Sequence, residues 1–330
     1  MEYRQIGSSD LKASVITFGA WAIGGWMWGG TDRKAAISAI RAALDEGVNT
    51  IDTAPVYGQG LSEELVKEAL EGVPRERVLL LTKFGMRWDL EKGVLKMRSQ
   101  DAAGKDIAVY QYAGRESVIK ECEDSLRRLG TDYIDLYQQH WPDATTPIAE
   151  TMEAVQRLIE QGKVRAAGVC NYSADQMREA EQTLPLASNQ VPYSMVLRDI
   201  EKAVVPYCLE HGKGILVYSP LQRGVLTGKF SPEHVFENDD HRSGMRYYQP
   251  ENIRRINAFL EKLRPLAEEK KASIAQLVIR WTIAQPGITV ALVGARDARQ
   301  AQENARAAAI RLSEEELQLI SRELEALRLA

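Results

Sequence analysis

Eight short apolar segments alternate with amphipathic segments of helical period along this chain, and no other feature constrains its fold as strongly. The predicted strands are 15–20, 49–54, 78–84, 133–140, 166–170, 186–193, 215–220 and 289–295. Nearly continuous apolar runs are typical of parallel strands that are buried on both faces. Eight such strand–helix units without a break in composition predict a single (β/α)8 TIM barrel domain over residues 1–330.

A doubly wound α/β sheet is the alternative for a chain in which strands and helices alternate. That fold binds its ligand through a G-x-G-x-x-G turn after the first strand. No predicted strand is followed by the complete pattern, because Gly58-Gln59-Gly60 lacks the third glycine. The barrel is therefore favoured.

Four segments fall outside the eightfold pattern. We expect residues 1–14 to form a short hairpin that closes the bottom of the barrel. Residues 85–113 and 221–249 follow strands 3 and 7 and are predicted to be long loops. Loops after barrel strands lie on the catalytic face, and loops of this length are usually functional. Residues 313–326 are predicted to be an additional helix packed outside the barrel.

The composition excludes several classes of protein. The 330 residues include 42 Lys and Arg against 46 Asp and Glu, which leaves a net charge of -4, and 45% are hydrophobic. Such a chain is too apolar to be disordered, and its mild acidity does not favour binding to nucleic acid or to an anionic membrane. No apolar run approaches the roughly 18 residues of a membrane span. Nothing in the sequence specifies an oligomeric state.

The cysteines and histidines indicate a reducing compartment and no metal site. Cys122, Cys170 and Cys208 are far apart and form no C-x-x-C pair, so we expect free thiols in the cytoplasm. Residues 1–15 lack the apolar core of a secretory signal. The histidines form no metal-binding motif, and the acids of Asp239-Asp240-His241 are typical of a solvated loop. No metal is predicted.

Polar residues terminate several consecutive strands. Asp52 ends strand 2, Tyr57 follows on the next loop, Lys83 ends strand 3 and His140 ends strand 4. Each of them alone is more typical of a solvated charge or of a structural histidine. Because strand ends converge on one mouth of a barrel, the four together favour a catalytic site.

The same residues lie within seven motifs that occur in a characteristic order. These are Gly47–Gly58, Thr82-Lys83, Asp135–His140, Gly168–Ser173, Asn189–Tyr193, Tyr218–Leu221 and Gly294–Asn304. With these motifs the chain resembles the aldo-keto reductase superfamily over nearly its whole length. Within that superfamily it is most similar to the bacterial subgroup that includes stress-protein and inositol-linked reductases.

The resemblance implies an NADPH-dependent oxidoreductase that reduces small aldehydes or ketones, including sugars or polyols, to alcohols. It makes Tyr57 the proton donor, and the pKa of a free tyrosine is about 10. An ammonium from Lys83 about 4 Å away is expected to lower that pKa by up to about 3, which suits acid catalysis near neutrality. Asp52 is expected to keep Lys83 charged, and His140 to orient and polarise the substrate oxygen.

The resemblance also assigns a cofactor site to the strand ends and the loop after strand 7. The implied nicotinamide and pyrophosphate contacts are Ala20, Trp21, Asp52, Cys170, Asn171, Gln190, Tyr218, Ser219, Pro220, Leu221, Gly224, Leu226, Lys229 and Arg242. The implied contacts of the adenosine half are Gly294, Arg296, Gln300, Glu303 and Asn304. Arg296 favours NADPH over NADH, because a planar guanidinium suits the 2′-phosphate.

The expected substrate pocket combines catalytic and aromatic residues. Tyr57 and His140 contact the carbonyl group, and Trp21, Trp88 and Trp141 follow strands 1, 3 and 4 at the same mouth. Aromatic side chains supply apolar area or a stacking surface there. An alternative function is that of an NADP-binding regulatory subunit resembling potassium-channel β subunits. We call Asp52, Tyr57, Lys83 and His140 the tetrad. The channel β subunits characteristically lack its histidine, which is present here as His140.

Overall fold

The computed structural model describes residues 1–101, 103–236, 240 and 242–330. The strands are β1 (Tyr3–Gln5), β2 (Lys12–Ser14), β3 (Ile16–Gly19), β4 (Thr50–Asp52), β5 (Leu79–Phe84), β6 (Met86–Arg87), β7 (Val94–Gln100), β8 (Asp106–Gln111), β9 (Ile134–Gln139), β10 (Val164–Cys170), β11 (Ser188–Pro192), β12 (Gly214–Tyr218) and β13 (Ile288–Gly294). The helices are α1 (Arg33–Asp45), α2 (Leu61–Ala69), α3 (Arg115–Leu129), α4 (Ile148–Glu160), α5 (Ala174–Ala180), α6 (Val204–Glu210), α7 (Pro250–Glu269), α8 (Ile274–Ala284), α9 (Ala298–Arg306) and α10 (Glu314–Ala326).

Eight parallel strands close into a barrel in the order β3-β4-β5-β9-β10-β11-β12-β13. Each predicted strand overlaps one of them and differs by no more than two residues at either end. Every residue of β9 is buried, because the helices cover the outside of the barrel and side chains fill its interior. The closed order confirms the TIM barrel and excludes the doubly wound alternative.

The N-terminal hairpin closes the bottom of the barrel. Strands β1 and β2 pair antiparallel, as predicted for residues 1–14. Ile6 and Leu11 have no exposed surface and pack among interior residues such as Leu136 and Leu216. At the outside, α10 packs against α7, as predicted for residues 313–326. No helix in the described part of the chain combines the length and the apolar character needed to cross a bilayer.

The segment 85–113 differs from the expected long loop. Strands β6, β7 and β8 form an antiparallel sheet in the order β6-β8-β7. The segment is polar because one face of this sheet is exposed, while Met97 and Val109 pack toward Trp26 and Val56 on the other. An antiparallel sheet with one solvated face has this mixed composition. We call β6–β8 the mouth sheet, since it follows β5 on the catalytic face.

The segment 221–249 contains two short 3-10 helices, Gln222–Thr227 and Arg246–Tyr248, in its described residues. Asp239 and His241, which sequence analysis assigned to a solvated loop, lie outside the residues that the structure describes. Within the described ranges, no group of three or more His, Cys, Asp or Glu side chains is arranged to hold a metal ion.

Candidate active site

The four polar residues predicted at the strand ends meet at the mouth of the barrel. Lys83 on β5 places its Nζ atom 2.5 Å from Oδ1 of Asp52, the last residue of β4. The same Nζ lies 5.0 Å from the centre of the Tyr57 ring. The rings of Tyr57 and His140 are 5.7 Å apart between centroids and nearly perpendicular. Closure of the barrel brings these residues together from three strand ends.

Lys83 and Asp52 form a buried ion pair. The Lys83 side chain has no exposed surface, and its Nζ also donates a 2.9 Å hydrogen bond to the backbone oxygen of Thr53. Burial is the largest single effect and favours the neutral amine, but the neighbouring groups, Asp52 first among them, together outweigh it and hold the pKa of Lys83 above its ordinary value. Lys83 is therefore a permanent cation beside Tyr57.

The protonation of Tyr57 differs from the sequence-based expectation. Burial raises the pKa of Tyr57 to about 12, and the opposing effect of Lys83 is smaller than that of burial, while Asp52 adds to the rise. The expectation of a pKa below 10 was wrong because it counted the ammonium and left out the loss of water around the phenol. Tyr57 thus carries its proton at neutral pH, the form that a proton donor needs.

His140 is held as a neutral imidazole. Burial, and then the positive charges of Lys83 and Lys96, lower the pKa of His140 well below its ordinary value of 6.5. Its backbone N–H donates a 2.9 Å hydrogen bond to the carbonyl oxygen of Phe84, which fixes the end of β9 against β5. A neutral imidazole beside Tyr57 can orient a carbonyl oxygen without adding a charge.

Two glutamines complete the surroundings of Asp52. Nε2 of Gln190 donates to Oδ2 of Asp52 at 2.7 Å, and Nε2 of Gln138 donates to the same oxygen at 3.3 Å. Sequence analysis missed Gln138. It lies two residues before His140, and the alternation of side chains along a strand places both on the same face. A polar residue in a fully buried strand was the available signal.

Asn171 and Tyr218 form a second hydrogen-bonded group beside the tetrad. The Tyr218 hydroxyl donates to Oδ1 of Asn171 at 2.8 Å, and Nδ2 of Asn171 donates to the backbone oxygen of His140 at 3.0 Å. Asn171, Ser219 and Arg223 all adopt positive φ angles of 56–60°. Such backbone strain in residues other than glycine concentrates at functional sites, where the surrounding structure holds it in place.

Most of these groups border one cavity of about 660 Å³. The predicted site residues on its walls are Trp21, Asp52, Tyr57, His140, Trp141, Cys170, Asn171, Gln190, Tyr218, Ser219, Pro220, Leu221, Gly224, Lys229, Arg242, Gly294, Arg296, Gln300, Glu303 and Asn304. Lys83 lies directly behind this wall. The cavity therefore joins the tetrad to the residues at the start of α9.

Besides Lys83, three predicted site residues lie away from the cavity surface. Ala20 and Leu226 have no exposed surface, and the backbone N–H of Ala20 donates to the backbone oxygen of Asp52 at 2.8 Å. Trp88 packs beside the apolar cluster that contains Trp26 and Met86. Their side chains are placed to support the walls and not to form them.

The far end of the cavity carries a guanidinium at the start of a helix. Arg296 precedes α9, and its guanidinium reaches across to the backbone oxygen of Gly30 at 3.3 Å. Asp297 caps the helix by accepting a hydrogen bond from the backbone N–H of Gln300 at 2.8 Å. A guanidinium at a helix N-terminus combines a charged fork with the positive end of the helix dipole.

The loop after β12 supplies further cations to the walls. Arg242 is paired with Asp240, and its guanidinium carbon lies 5.4 Å from the Trp28 ring. Lys229 and Arg223 also face the cavity. Sequence analysis missed Arg223 and, on the mouth sheet, Lys96, Met86 and Met97, because the segments that follow the barrel strands carry no motif of their own.

Comparison with known proteins connects this geometry to one family. The family model described as the aldo/keto reductase family matches residues 15–325. An aldo-keto reductase of Bacillus subtilis is 42% identical over 298 residues, which are 90% of this chain and 85% of that protein. The NADH-specific methylglyoxal reductase of Escherichia coli is 37% identical over 327 residues, 98% of each chain.

A solved structure agrees in fold. The glycerol dehydrogenase of Gluconobacter oxydans superposes with a TM-score of 0.88 at 38% sequence identity. The alignment covers 98% of this chain and 95% of that enzyme. Nearly the whole chain thus shares the fold of a protein whose structure is known.

Proposed function

The chain belongs to the aldo/keto reductase family, and we propose that it uses NADPH to reduce small aldehydes or ketones to alcohols with Tyr57 as the proton donor. The observation that carries the proposal is the buried ion pair of Lys83 and Asp52 beside Tyr57 and His140. Members of the family are oxidoreductases that use a nicotinamide cofactor. Tyr57 and His140 both face the cavity, as contact with a carbonyl group requires.

The proton transfer follows from the groups around Tyr57. NADPH, when bound, supplies the hydride that reduces the carbonyl carbon. The Tyr57 hydroxyl donates its proton to the carbonyl oxygen, because an alkoxide is a much stronger base than a phenolate. Lys83 stabilises the phenolate that remains, and Asp52 keeps Lys83 charged. Neutral His140 directs the carbonyl oxygen toward the Tyr57 hydroxyl.

The residues along the cavity fit a nicotinamide dinucleotide. Asn171 and Gln190 offer amides for the carboxamide group, and the Tyr218 ring offers a surface for the nicotinamide. At the other end Arg296 and Gln300 suit a 2′-phosphate, which supports NADPH as the cofactor. The Escherichia coli relative is specific for NADH, so this assignment depends on Arg296 in the present chain.

The aromatic wall supports a small carbonyl substrate. Trp21 lies 6.2 Å from Tyr57 between ring centroids, and Trp141 follows His140 directly. These rings supply apolar contacts around a carbonyl group held between Tyr57 and His140.

The cysteines agree with a reducing compartment. Cys122, Cys170 and Cys208 are buried and form no disulfide in the described residues, and the cytoplasm remains the predicted compartment.

The proposal is tested with purified protein, NADPH and a panel of aldehydes, by following the near-ultraviolet absorbance of NADPH. We expect steady oxidation of NADPH that depends on the aldehyde. Tyr57→Phe should abolish this reduction while the affinity for NADPH changes little, since only the hydroxyl is lost. Binding of NADPH without turnover of any aldehyde would favour the regulatory function, and turnover by the Tyr57→Phe enzyme would remove Tyr57 from the mechanism.

A further inference from the structure

The mouth sheet places a lysine on the wall of the cavity beside the catalytic residues. Lys96 extends from β7, and its Nζ lies 3.7 Å from the centre of the Trp141 ring. Trp141 is the residue after His140, and the charge of Lys96 reaches His140 strongly enough to contribute to its lowered pKa. The ammonium therefore lies next to the residue that orients the carbonyl group.

Within the described residues, the charge of Lys96 is not paired with a carboxylate. Its ammonium contacts the Trp141 ring, which supplies no negative charge. In the described part of the chain, the carboxylates on the cavity wall are Asp52, which is paired with Lys83, and Glu303 at the α9 end. A cation held over an aromatic face keeps its free N–H donors available for a ligand.

The position of Lys96 in the barrel separates it from the residues proposed to bind the cofactor phosphates. The mouth sheet follows β5, and Trp141 follows β9, the next strand of the barrel. Strand β13, which leads to Arg296 and α9, is four strands away from β9 in the closed order of eight. Lys96 therefore lies across the barrel axis from Arg296, on the side left for the substrate.

We propose that Lys96 binds an anionic group of the substrate, so that the preferred substrates are small aldehydes or ketones that carry a carboxylate or a phosphate. This inference rests on the proposed reductase function and adds the substrate class. Reduction requires the carbonyl group at Tyr57 and His140, and the anionic end then extends toward the ring of Trp141. Met86 and Met97 on the adjacent wall contact the apolar part between the two groups.

The test compares two aldehydes of nearly equal shape and different charge, 4-carboxybenzaldehyde and 4-formylbenzamide. For the unmodified enzyme we expect kcat/KM to be about fivefold higher with the carboxylate, as suits a partly exposed charge-assisted hydrogen bond. Lys96→Met should reduce this ratio to about one. D-glyceraldehyde 3-phosphate and D-glyceraldehyde form the second pair, and the larger of the two ratios identifies the preferred anion.

Two matched variants identify the responsible cation. Lys92 is on the same segment, with its Nζ 4.5 Å from the Tyr112 ring, but it does not line the cavity. Lys92→Met should therefore leave the ratio unchanged. Arg223, whose guanidinium lies 5.2 Å from the Trp21 ring, is the competing cation. If Arg223→Gln abolishes the preference and Lys96→Met does not, the assignment to Lys96 is wrong.

Salt and product binding provide independent readouts. The ratio should fall when the ionic strength is raised from about 0.01 M to about 1 M, since the Debye length shrinks from about 30 Å to about 3 Å. Calorimetry should show tighter binding of 4-(hydroxymethyl)benzoate than of 4-(hydroxymethyl)benzamide, a difference that Lys96→Met removes. Equal rates and equal binding for both members of each pair overturn the inference, while turnover of the neutral aldehydes still supports the reductase function.

Discussion

Replacing Lys83 with methionine separates its structural role from its chemical role. The substitution leaves Asp52 buried without its cation, although Gln190 and Gln138 still donate to its Oδ2 atom. Removing one partner of a buried ion pair typically costs about 3–5 kcal/mol, because the remaining charge stays out of water. We expect a loss of this size in the free energy of unfolding, measured by denaturation in urea.

The same substitution removes the cation that stabilises the Tyr57 phenolate. With Nζ 5.0 Å from the centre of the ring, the interaction is worth about 3 kcal/mol at an effective dielectric constant of 20. That energy corresponds to a decrease of roughly a hundredfold or more in kcat for reduction of an aldehyde. The assay is NADPH oxidation at saturating aldehyde, with cofactor binding measured separately by fluorescence.

The double variant Asp52→Asn with Lys83→Met provides the control. Since it leaves no unpaired buried charge, its stability should return close to that of the unmodified protein. Its activity should stay low, because the phenolate still lacks its cation. A double variant that regains turnover, or a Lys83→Met enzyme with unchanged stability and rate, would refute this account of the ion pair.

Three further predictions concern the cofactor and the pH dependence. Arg296→Ala should raise the KM for NADPH and leave that for NADH nearly unchanged, as measured by steady-state kinetics; equal effects on both cofactors contradict the 2′-phosphate assignment. Protonation of His140 should not slow the reduction between about pH 7 and about pH 6, because its lowered pKa keeps the imidazole neutral there. A fall in rate over this range that is absent from the His140→Asn enzyme would contradict this prediction. Burial raises the pKa of Glu121 from 4.5 to about 7. Between these two pH values the folded state binds more protons than the unfolded state, so the free energy of unfolding falls by up to about 3 kcal/mol as the pH rises. Glu121→Gln should reduce that loss in thermal unfolding between about pH 5 and about pH 8, and an unchanged pH dependence counts against it.

The barrel and most of its site were predictable because their signals are local. Each buried strand is a short apolar run, and the polar residues that end those runs include Asp52, Lys83 and His140. Once eight parallel strands are assumed, their ends must meet at one mouth. The structure places the predicted tetrad there, and its catalytic roles remain proposals that the variants above test.

Features that depend on burial could not be predicted in the same way. The polar segment 85–113 has the composition of a loop, but it forms a sheet because Met97 and Val109 find an apolar surface supplied by a distant part of the chain. The placement of Lys96 beside Trp141 follows from that sheet. No local pattern in the segment specifies what its apolar face will contact.

By itself the sequence determined the eight strands of the barrel and the polar residues at their ends, since hydrophobic periodicity and strand length are local properties. Only the tertiary structure decided the protonation of Tyr57 and the hydrogen bonds that surround Asp52. Both depend on how completely water is excluded, and barrel closure brings together groups far apart in the chain to exclude it. The pKa of Tyr57 rises to about 12 for that reason, although its neighbour Lys83 opposes the rise.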